Sequence, residues 1–241
     1  CCARRARRAS LGPRAGLPGA GRERSAVVYV ARVSLRGVAI IPLGGVVHQV
    51  TQAEFSTLLY LAICTQMAHL MPVRWARGVH VVSTPLLVAS ALVAPGVGVA
   101  LVAWLAGFDR RRPGKEVTWT AFLFNNANGA LTYGAPSLAL TVVNSFGEYD
   151  VPIRTAILTV AIICINYPLT ARAFAGVTGI SFVQALVENV GFTTIRTMTI
   201  MGFVGGMLYL VLSIKPEGYV MAVGLFGVLL AIRANLADSN Q

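Results

Sequence analysis

The chain has 241 residues, of which 56% are hydrophobic and 12% are charged, and its mean hydropathy is +0.69. A soluble domain carries about twice that charged fraction, so the composition excludes an ordinary soluble globular protein. Several apolar runs approach the roughly 20 residues that cross a bilayer as a helix. The sequence therefore predicts an all-α fold, a polytopic membrane helix bundle.

Most of the net charge of +11 lies near the N-terminus. Residues 1–36 contain nine arginines and one acid, Glu23, whereas the rest of the chain carries a net charge of only +3. A basic segment can bind nucleic acid, but these arginines are not interleaved with aromatic residues. Contact with anionic lipid is the simpler interpretation, so no nucleic-acid partner is predicted. Residues 1–32 are predicted to be a basic, disordered cytoplasmic tail, with the alternative that they are not native sequence.

Apolar segments follow one another along the rest of the chain. The predicted spans are residues 33–50, 55–71, 79–94 with 96–108, 119–146, 151–174, 191–213 and 217–233. They amount to about six full-length spans and one short hairpin, or about six to eight membrane segments. Residues 33–233 thus form one transmembrane bundle, and residues 234–241 are predicted to begin a truncated cytoplasmic linker.

The third segment, residues 79–108, is too long for one span, and its centre reads APGVG, a strong turn signal. Two short helices joined at Pro95–Gly96 explain this pattern, whether the hairpin crosses the bilayer or re-enters. A hairpin also places Arg74 and Arg77 on the same side as the basic loop at residues 109–115, as the positive-inside rule prefers. The charges predict that both termini face the cytoplasm, in a multi-pass protein of the cell inner membrane.

Three asparagines, Asn125, Asn126 and Asn128, interrupt the apolar run at residues 119–146. In a helix, Asn125 and Asn128 share one face, and Asn126 lies on a neighbouring stripe with Tyr133. Amide side chains at membrane depth need partners within the bundle, because hydrocarbon offers none. They either form interhelical hydrogen bonds, the favoured interpretation, or line a small polar cavity for a ligand.

Other polar residues are predicted to share this polar core. Asn166 and Tyr167 precede Pro168, which is predicted to break or kink the span and to free backbone carbonyls. Glu188 ends the amphipathic stretch SFVQALVEN, and Arg196, two helical turns further on, can pair with it.

Gly202 and Gly206 have the small-x-x-x-small spacing that allows close helix packing, with packing inside the chain favoured over a dimer face. The cysteines and histidines are scattered without the spacing of a zinc site. No metal and no cofactor are predicted.

A short pattern inside the asparagine-containing span suggests a family. The pattern is F-N-x-x-(N/Q)-x-x-L followed by a small residue. In this sequence it is matched by Phe124, Asn125, Asn128, Leu131 and Gly134. With the apolar hairpin, the basic loop and the later INYPLTARAFAGVTGISFVQALVENVG, it resembles the MASE-type membrane sensor domains. The resemblance is to the group found ahead of HD-GYP phosphodiesterase and GGDEF diguanylate cyclase domains, and it covers about residues 33–233.

The resemblance implies a bacterial sensory input domain for signal transduction through cyclic-di-GMP. Such a domain couples an unidentified small-molecule ligand or a membrane signal to a cytoplasmic enzyme domain, which would follow this chain. It also implies a homodimer formed by the full-length protein. No catalytic residue is carried over, because neither enzyme domain is present in the sequence.

Two other function classes were weighed. The alternative is the substrate-binding membrane subunit of a vitamin or metabolite transporter of the energy-coupling-factor type. In that case Asn125, Asn128, Asn166 and Tyr167 would line a substrate pocket. A membrane-embedded enzyme is not predicted, because the acidic residues beyond residue 36 lie almost wholly in loops.

Overall fold

In a computed structural model, the described part of the chain contains eight α-helices and one short β-hairpin. The structure describes residues 20–47, 50–70, 73–75, 78–80, 83–108, 113–115, 117–143, 145–189, 192–214, 218, 220, 224 and 227. The helices are α1 (Ala20–Val47), α2 (Gln52–Leu70), α3 (Thr84–Val93), α4 (Val97–Ala106), α5 (Trp119–Leu140), α6 (Asp150–Thr178), α7 (Phe182–Asn189) and α8 (Phe192–Ser213). Strands β1 (Val73–Trp75) and β2 (Gly78–His80) lie between α2 and α3. Apart from this hairpin, the predicted all-α class is confirmed for the described residues.

Helix α1 starts earlier than the first predicted span. It begins at Ala20, so the disorder predicted for residues 1–32 is wrong from Ala20 onward, and residues 1–19 lie outside the described residues. The helix packs closely on α5: a Cβ atom added at Gly37 would lie 2.6 Å from the carbonyl oxygen of Ala127. This tertiary packing stabilises a helix whose arginine-rich start suggested disorder.

The helix predicted for residues 79–94 begins only at Thr84, so its predicted start is wrong. Residues 78–80 instead pair in antiparallel register with residues 73–75. Valine and tryptophan favour such a strand pair, and Pro85 favours the first turn of a helix.

The turn predicted at Pro95–Gly96 is present between α3 and α4. Gly96 has φ = +78°, a conformation that favours glycine. Its N–H donates to Ser137 Oγ at 2.9 Å, which attaches the turn to α5. At the other end of α4, Gly107 contacts Asn126, so α4 runs antiparallel to α5.

Helix α6 also runs antiparallel to α5. Near its start, Arg154 donates to the carbonyl of Leu140 at 2.8 Å, and further along Asn166 contacts Asn128. The C-terminal end of α6 therefore lies beside the N-terminal end of α5.

Pro168 does not end α6, so the predicted break is wrong. A proline inside a helix removes one backbone hydrogen bond, and side chains on both sides of Pro168 attach α6 to its neighbours. Asn166 bonds to Asn128 of α5, and the carbonyl of Leu169 accepts a hydrogen bond from the Tyr29 hydroxyl of α1 at 3.2 Å.

Helix α2 begins at a capping box. The Thr51 N–H donates to Glu54 Oε2 at 2.7 Å, and the Glu54 N–H donates to Thr51 Oγ1 at 3.3 Å. Near the other end of the helix, Gln66 Nε2 donates to the Phe108 carbonyl at 2.6 Å. The C-terminal ends of α2 and α4 therefore lie close together.

These contacts define two ends of the bundle. The basic end holds the N-terminal end of α5 with the C-terminal ends of α2, α4 and α6, and it includes Lys115 and Arg172. The opposite, acidic end holds the C-terminal end of α5 and the start of α6, with Glu148 and Asp150.

Two helices among the described residues are long and apolar enough to cross a membrane, Gly147–Thr178 and Ile195–Ser213. Only 28% of the most apolar window of each is buried, whereas the core helix of a soluble protein is mostly buried. Both helices therefore present apolar surface to the outside of the bundle. The predicted span at residues 217–233 lies almost wholly outside the described residues.

Candidate functional site

Asn126 lies in the contact between α4 and α5 and is fully buried. In the amide orientation that satisfies both of its polar atoms, Nδ2 donates to the carbonyl oxygens of Phe122 and Gly107, each at 3.1 Å. The side chain and Gly107 are so close that a Cβ atom at Gly107 would overlap the amide. Asn126 thus joins α5 to the C-terminal end of α4 and leaves no room for a ligand.

Asn128 lies in the contact between α5 and α6 and is half-buried. Its Nδ2 donates to Asn166 Oδ1 at 2.8 Å. Two threonine hydroxyls lie at the edge of the pair: Thr132 Oγ1 is 3.4 Å from Asn128 Oδ1, and Thr170 Oγ1 is 3.4 Å from Asn166 Oδ1. We call these four residues the polar seam. The two amide side chains thus form a direct hydrogen bond between α5 and α6.

Asn125, predicted to share a face and a role with Asn128, is exposed on the outside of α5. The reason is that α5 has neighbours on three sides. Asn126 faces α4, Ala127 faces Gly37 of α1, and Asn128 faces α6. The remaining direction belongs to Asn125, so the structure does not bring Asn125 into the polar seam.

Tyr133 and Tyr167 are both buried between the helices, at 9% and 8% exposure. The Tyr133 hydroxyl donates to Thr84 Oγ1 of α3 at 3.4 Å. The Tyr167 hydroxyl is buried, and within the described part of the chain it has no hydrogen-bond partner. Tyr167 is the residue after Asn166 on α6, so this helix carries an unsatisfied buried hydroxyl as well as its half of the polar seam.

Glu188 and Arg196 belong to different helices, α7 and α8. Arg196 is exposed, and the Glu188 side chain lies outside the described residues. The ion pair predicted between them stays a prediction.

Gly202 and Gly206 of α8 face α6. Gly202 packs against Thr159, and a Cβ atom at Gly206 would lie 2.5 Å from Thr155 Oγ1. Gly205, between them, faces α3. The three glycines therefore bring α8 close to two helices of the same chain.

Sequence analysis did not single out Arg154. Its Nε donates to Asp150 Oδ2 at 2.7 Å, and its guanidinium also donates to the carbonyls of Leu140 and Val143 at 2.8 and 3.1 Å. A cation at the C-terminal end of a helix satisfies carbonyls that have no partner within that helix. The i,i+4 spacing of Asp150 and Arg154 was the available signal.

A groove of about 330 Å³, which sequence analysis also missed, lies where α1, α6 and α7 meet. We call it the α1–α6–α7 groove. Its lining consists of Tyr29, Pro168, Leu169, Arg172 and Phe182. The groove lies near the basic end of the bundle, because Leu169 and Arg172 belong to the C-terminal part of α6.

Among the described residues, no three His, Cys, Asp or Glu side chains come together in a group that could hold a metal ion. Comparison with protein-family models, with curated proteins and with solved structures found no match for this chain.

Proposed function

We propose that the chain is the membrane-embedded input domain of a bacterial signalling protein, with about six to eight membrane segments and both termini in the cytoplasm. The order of the helix ends supports this topology. Lys115, just before α5, and Arg172 lie at one end of the bundle, and the acidic turn with Glu148 and Asp150 lies at the other. The positive-inside rule then places the basic end in the cytoplasm.

Apolar side chains on the outside of the bundle also support a membrane location. They form stripes at helical spacing on four helices. The residues are Leu59, Ile63 and Met67 on α2, Leu101 and Leu105 on α4, Ile157 and Val160 on α6, and Phe203, Met207 and Leu210 on α8. Soluble monomers rarely expose apolar surface on so many helices, whereas lipid contacts such surface without cost.

The observation that carries the input role is the incomplete polar contact between α5 and α6. The Asn128–Asn166 hydrogen bond is half-buried, and the Tyr167 hydroxyl, buried on the same helix as Asn166, has no partner in the described structure. A second arrangement of α6 that satisfied this hydroxyl would differ little in free energy from the first. A signal that binds the two arrangements unequally would shift their populations.

The family resemblance suggests which output a displacement of α6 would control. Its pattern residues Asn125 and Asn128 lie on α5, and α6 continues from the polar seam towards the basic end. In this proposal, displacement of α6 passes through α7 and α8 to the last predicted span and then to a cyclic-di-GMP enzyme domain. The working unit is a dimer of the full-length protein, and the chain described here performs no catalysis.

The first test is to read the coding sequence beyond the codon for Gln241. The proposal requires an HD-GYP or GGDEF domain in the same reading frame. A stop codon there would contradict it, and the transporter-subunit alternative would then lead. That alternative requires an ATPase partner and a bound vitamin or metabolite on purification from the native membrane.

If an enzyme domain follows, two matched variants test the polar seam. Asn128→Leu in the full-length protein should change cyclic-di-GMP output, because it removes the Asn128–Asn166 hydrogen bond between α5 and α6. Asn125→Leu makes the same substitution on the exposed face and should leave output unchanged. Equal outputs from both variants and the unaltered protein would contradict a signalling role for the seam.

Single cysteines test the topology. A cysteine at Ser145, on the acidic end, should react with a membrane-impermeant maleimide in intact cells. A cysteine at Lys115, on the basic end, should react only after permeabilisation. The reverse pattern would overturn the proposed orientation.

A further inference from the structure

The α1–α6–α7 groove combines positive charge with an apolar lining. Arg172 lines the groove and is exposed, and Arg36, one helix away, is also exposed. Arg36 lies on α1, the helix that carries Tyr29, two helical turns further along the chain. An exposed arginine in the lining, with a second on one of the helices that form the groove, favours an anion, because guanidinium groups form charge-assisted hydrogen bonds with phosphate or carboxylate oxygens.

The rest of the lining favours a ligand that also has an apolar part. Pro168 and Leu169 present apolar surface, and Tyr29 and Phe182 contribute rings from different helices. The Tyr29 hydroxyl is held by the Leu169 carbonyl, so its ring is fixed beside the groove. Aromatic rings of this kind are enriched where a membrane protein meets the headgroup region.

Pro168 accounts for the groove's place in the fold. A proline ring inside a helix leaves one carbonyl of the preceding turn without its helical N–H partner. The groove thus lies beside a part of α6 where the backbone is less completely satisfied, between α1 and the short helix α7. Its volume of about 330 Å³ is at the small end of the range for ligand sites, and it suits a headgroup rather than a whole lipid.

The chain's own N-terminal segment does not fit this site. Residues 1–19 contain five arginines and no acid, so Arg172 in the lining of the groove would repel them. An external anion is favoured instead. Anionic phospholipid is the abundant anion at the cytoplasmic surface of a membrane.

We propose that the α1–α6–α7 groove binds the headgroup of an anionic phospholipid of the cytoplasmic leaflet. Arg172, which lines the groove, contacts the phosphate, and Arg36 adds positive charge from α1. Tyr29, Leu169 and Phe182 pack against the glycerol and the first acyl carbons. The inference rests on the proposed membrane location and orientation, but not on the signalling role or on any domain downstream.

Lipid retention by the purified chain tests this site. The full chain, extracted in mild detergent, is titrated with phosphatidylglycerol or with phosphatidylcholine of the same acyl chains, and bound lipid is counted by native mass spectrometry. The unaltered protein should retain phosphatidylglycerol in preference to phosphatidylcholine. The Arg36→Gln/Arg172→Gln variant should lose about five- to thirtyfold in phosphatidylglycerol affinity, because each arginine near an anionic surface contributes roughly fivefold.

The matched control is Arg196→Gln, which removes an exposed arginine from α8, a helix that does not line the groove. It should retain phosphatidylglycerol like the unaltered protein. An equal loss in this variant would overturn the proposal, because binding would then depend on overall charge alone. Equal retention of the two lipids by the unaltered protein would also overturn it.

A soluble competitor separates the lipid from a free phosphate compound. Glycerol 3-phosphate should displace phosphatidylglycerol only weakly, because it lacks the acyl carbons that contact Leu169 and Phe182. Displacement at equal concentrations would overturn the assignment to a lipid. If the chain can be extracted without detergent, both the proposed membrane location and the lipid site are wrong. If it needs detergent but shows no lipid preference, only the lipid site is wrong.

Discussion

The two polar contacts of α5 differ although they are two residues apart in sequence. At Asn126, the contact with α4 is fully buried, the amide bonds to two carbonyl groups, and Gly107 leaves no free space around it. At Asn128, the contact with α6 is half-buried and rests on one short hydrogen bond. The next residue of α6 after Asn166 is Tyr167, whose buried hydroxyl has no partner in the described structure. Two amides only two residues apart on one apolar helix thus make contacts that differ in burial and in how fully their polar groups are satisfied.

The largest loss of stability is expected when a side chain is added at Gly107, where it would overlap the Asn126 amide. Gly107→Val places a side chain where the Asn126 amide lies, and overpacking of this kind costs about 1–3 kcal/mol. Thermal unfolding in detergent, followed by size-exclusion chromatography, should show a clear loss of stability. Ala139→Val, on the exposed face of α5, is the matched control and should unfold like the unaltered protein. Equal stability of the two variants would contradict a tight contact between α4 and α5.

Removal of the Asn126 amide should have the next largest effect. Asn126→Leu deletes the hydrogen bonds to Gly107 and Phe122, so it should destabilise the protein by about 1–3 kcal/mol. Asn125→Leu is the same substitution on the exposed face and should change stability by less than about 0.5 kcal/mol. If Asn125→Leu were the more destabilising, the assignment of the two positions would be reversed.

The Asn128–Asn166 hydrogen bond should contribute less than the Asn126 contact. A double-mutant cycle with Asn128→Leu and Asn166→Leu isolates this bond, since the two residues are in direct contact. Interhelical hydrogen bonds in membrane proteins contribute about 0.6 kcal/mol on average and at most about 1.7. A coupling energy as large as the whole effect of Asn126→Leu would remove the distinction between the two contacts.

The smallest change is expected at Tyr167. Tyr167→Phe removes a buried hydroxyl that has no partner in the described structure, so stability should hold or rise by up to about 1 kcal/mol. Tyr133→Phe deletes a hydroxyl that is bonded to Thr84 and should lower stability slightly. The unfolding midpoints of the two variants measure the difference. A marked destabilisation by Tyr167→Phe would mean that this hydroxyl has a partner, and the α5–α6 contact would then be as complete as the α4–α5 contact.

Local signals explain which parts of the fold could be predicted. The Pro95–Gly96 turn depends on residues with strong backbone preferences, and the amphipathic stretch at residues 181–189 has helical periodicity, so both were found. The start of α1 was missed because its helix depends on packing against α5. The β-hairpin before α3 was missed because its residues read as part of an apolar run.

The residues of the candidate site could likewise be predicted only in part. The residue types of the polar core could be named from sequence because amides in an apolar run always need partners. Which amide meets which partner could not be named, since Asn125 and Asn128 differ only by a rotation about the helix axis. Arg172 and Phe182 could not be connected with Tyr29, because residues so far apart in sequence meet only through the packing of α1, α6 and α7.

Composition and local pattern by themselves determined that this protein is helical and apolar, where its basic segments lie, and which residues are polar among apolar neighbours. Only the tertiary structure decided that Asn126 joins α4, that Asn128 joins α6, that Asn125 faces outward, and that Pro168 lies inside a continuous helix. The physical reason is that hydrophobicity and helix propensity belong to a residue and its near neighbours. The partner of a polar group is instead set by which helices pack together, and that depends on shape along the whole chain.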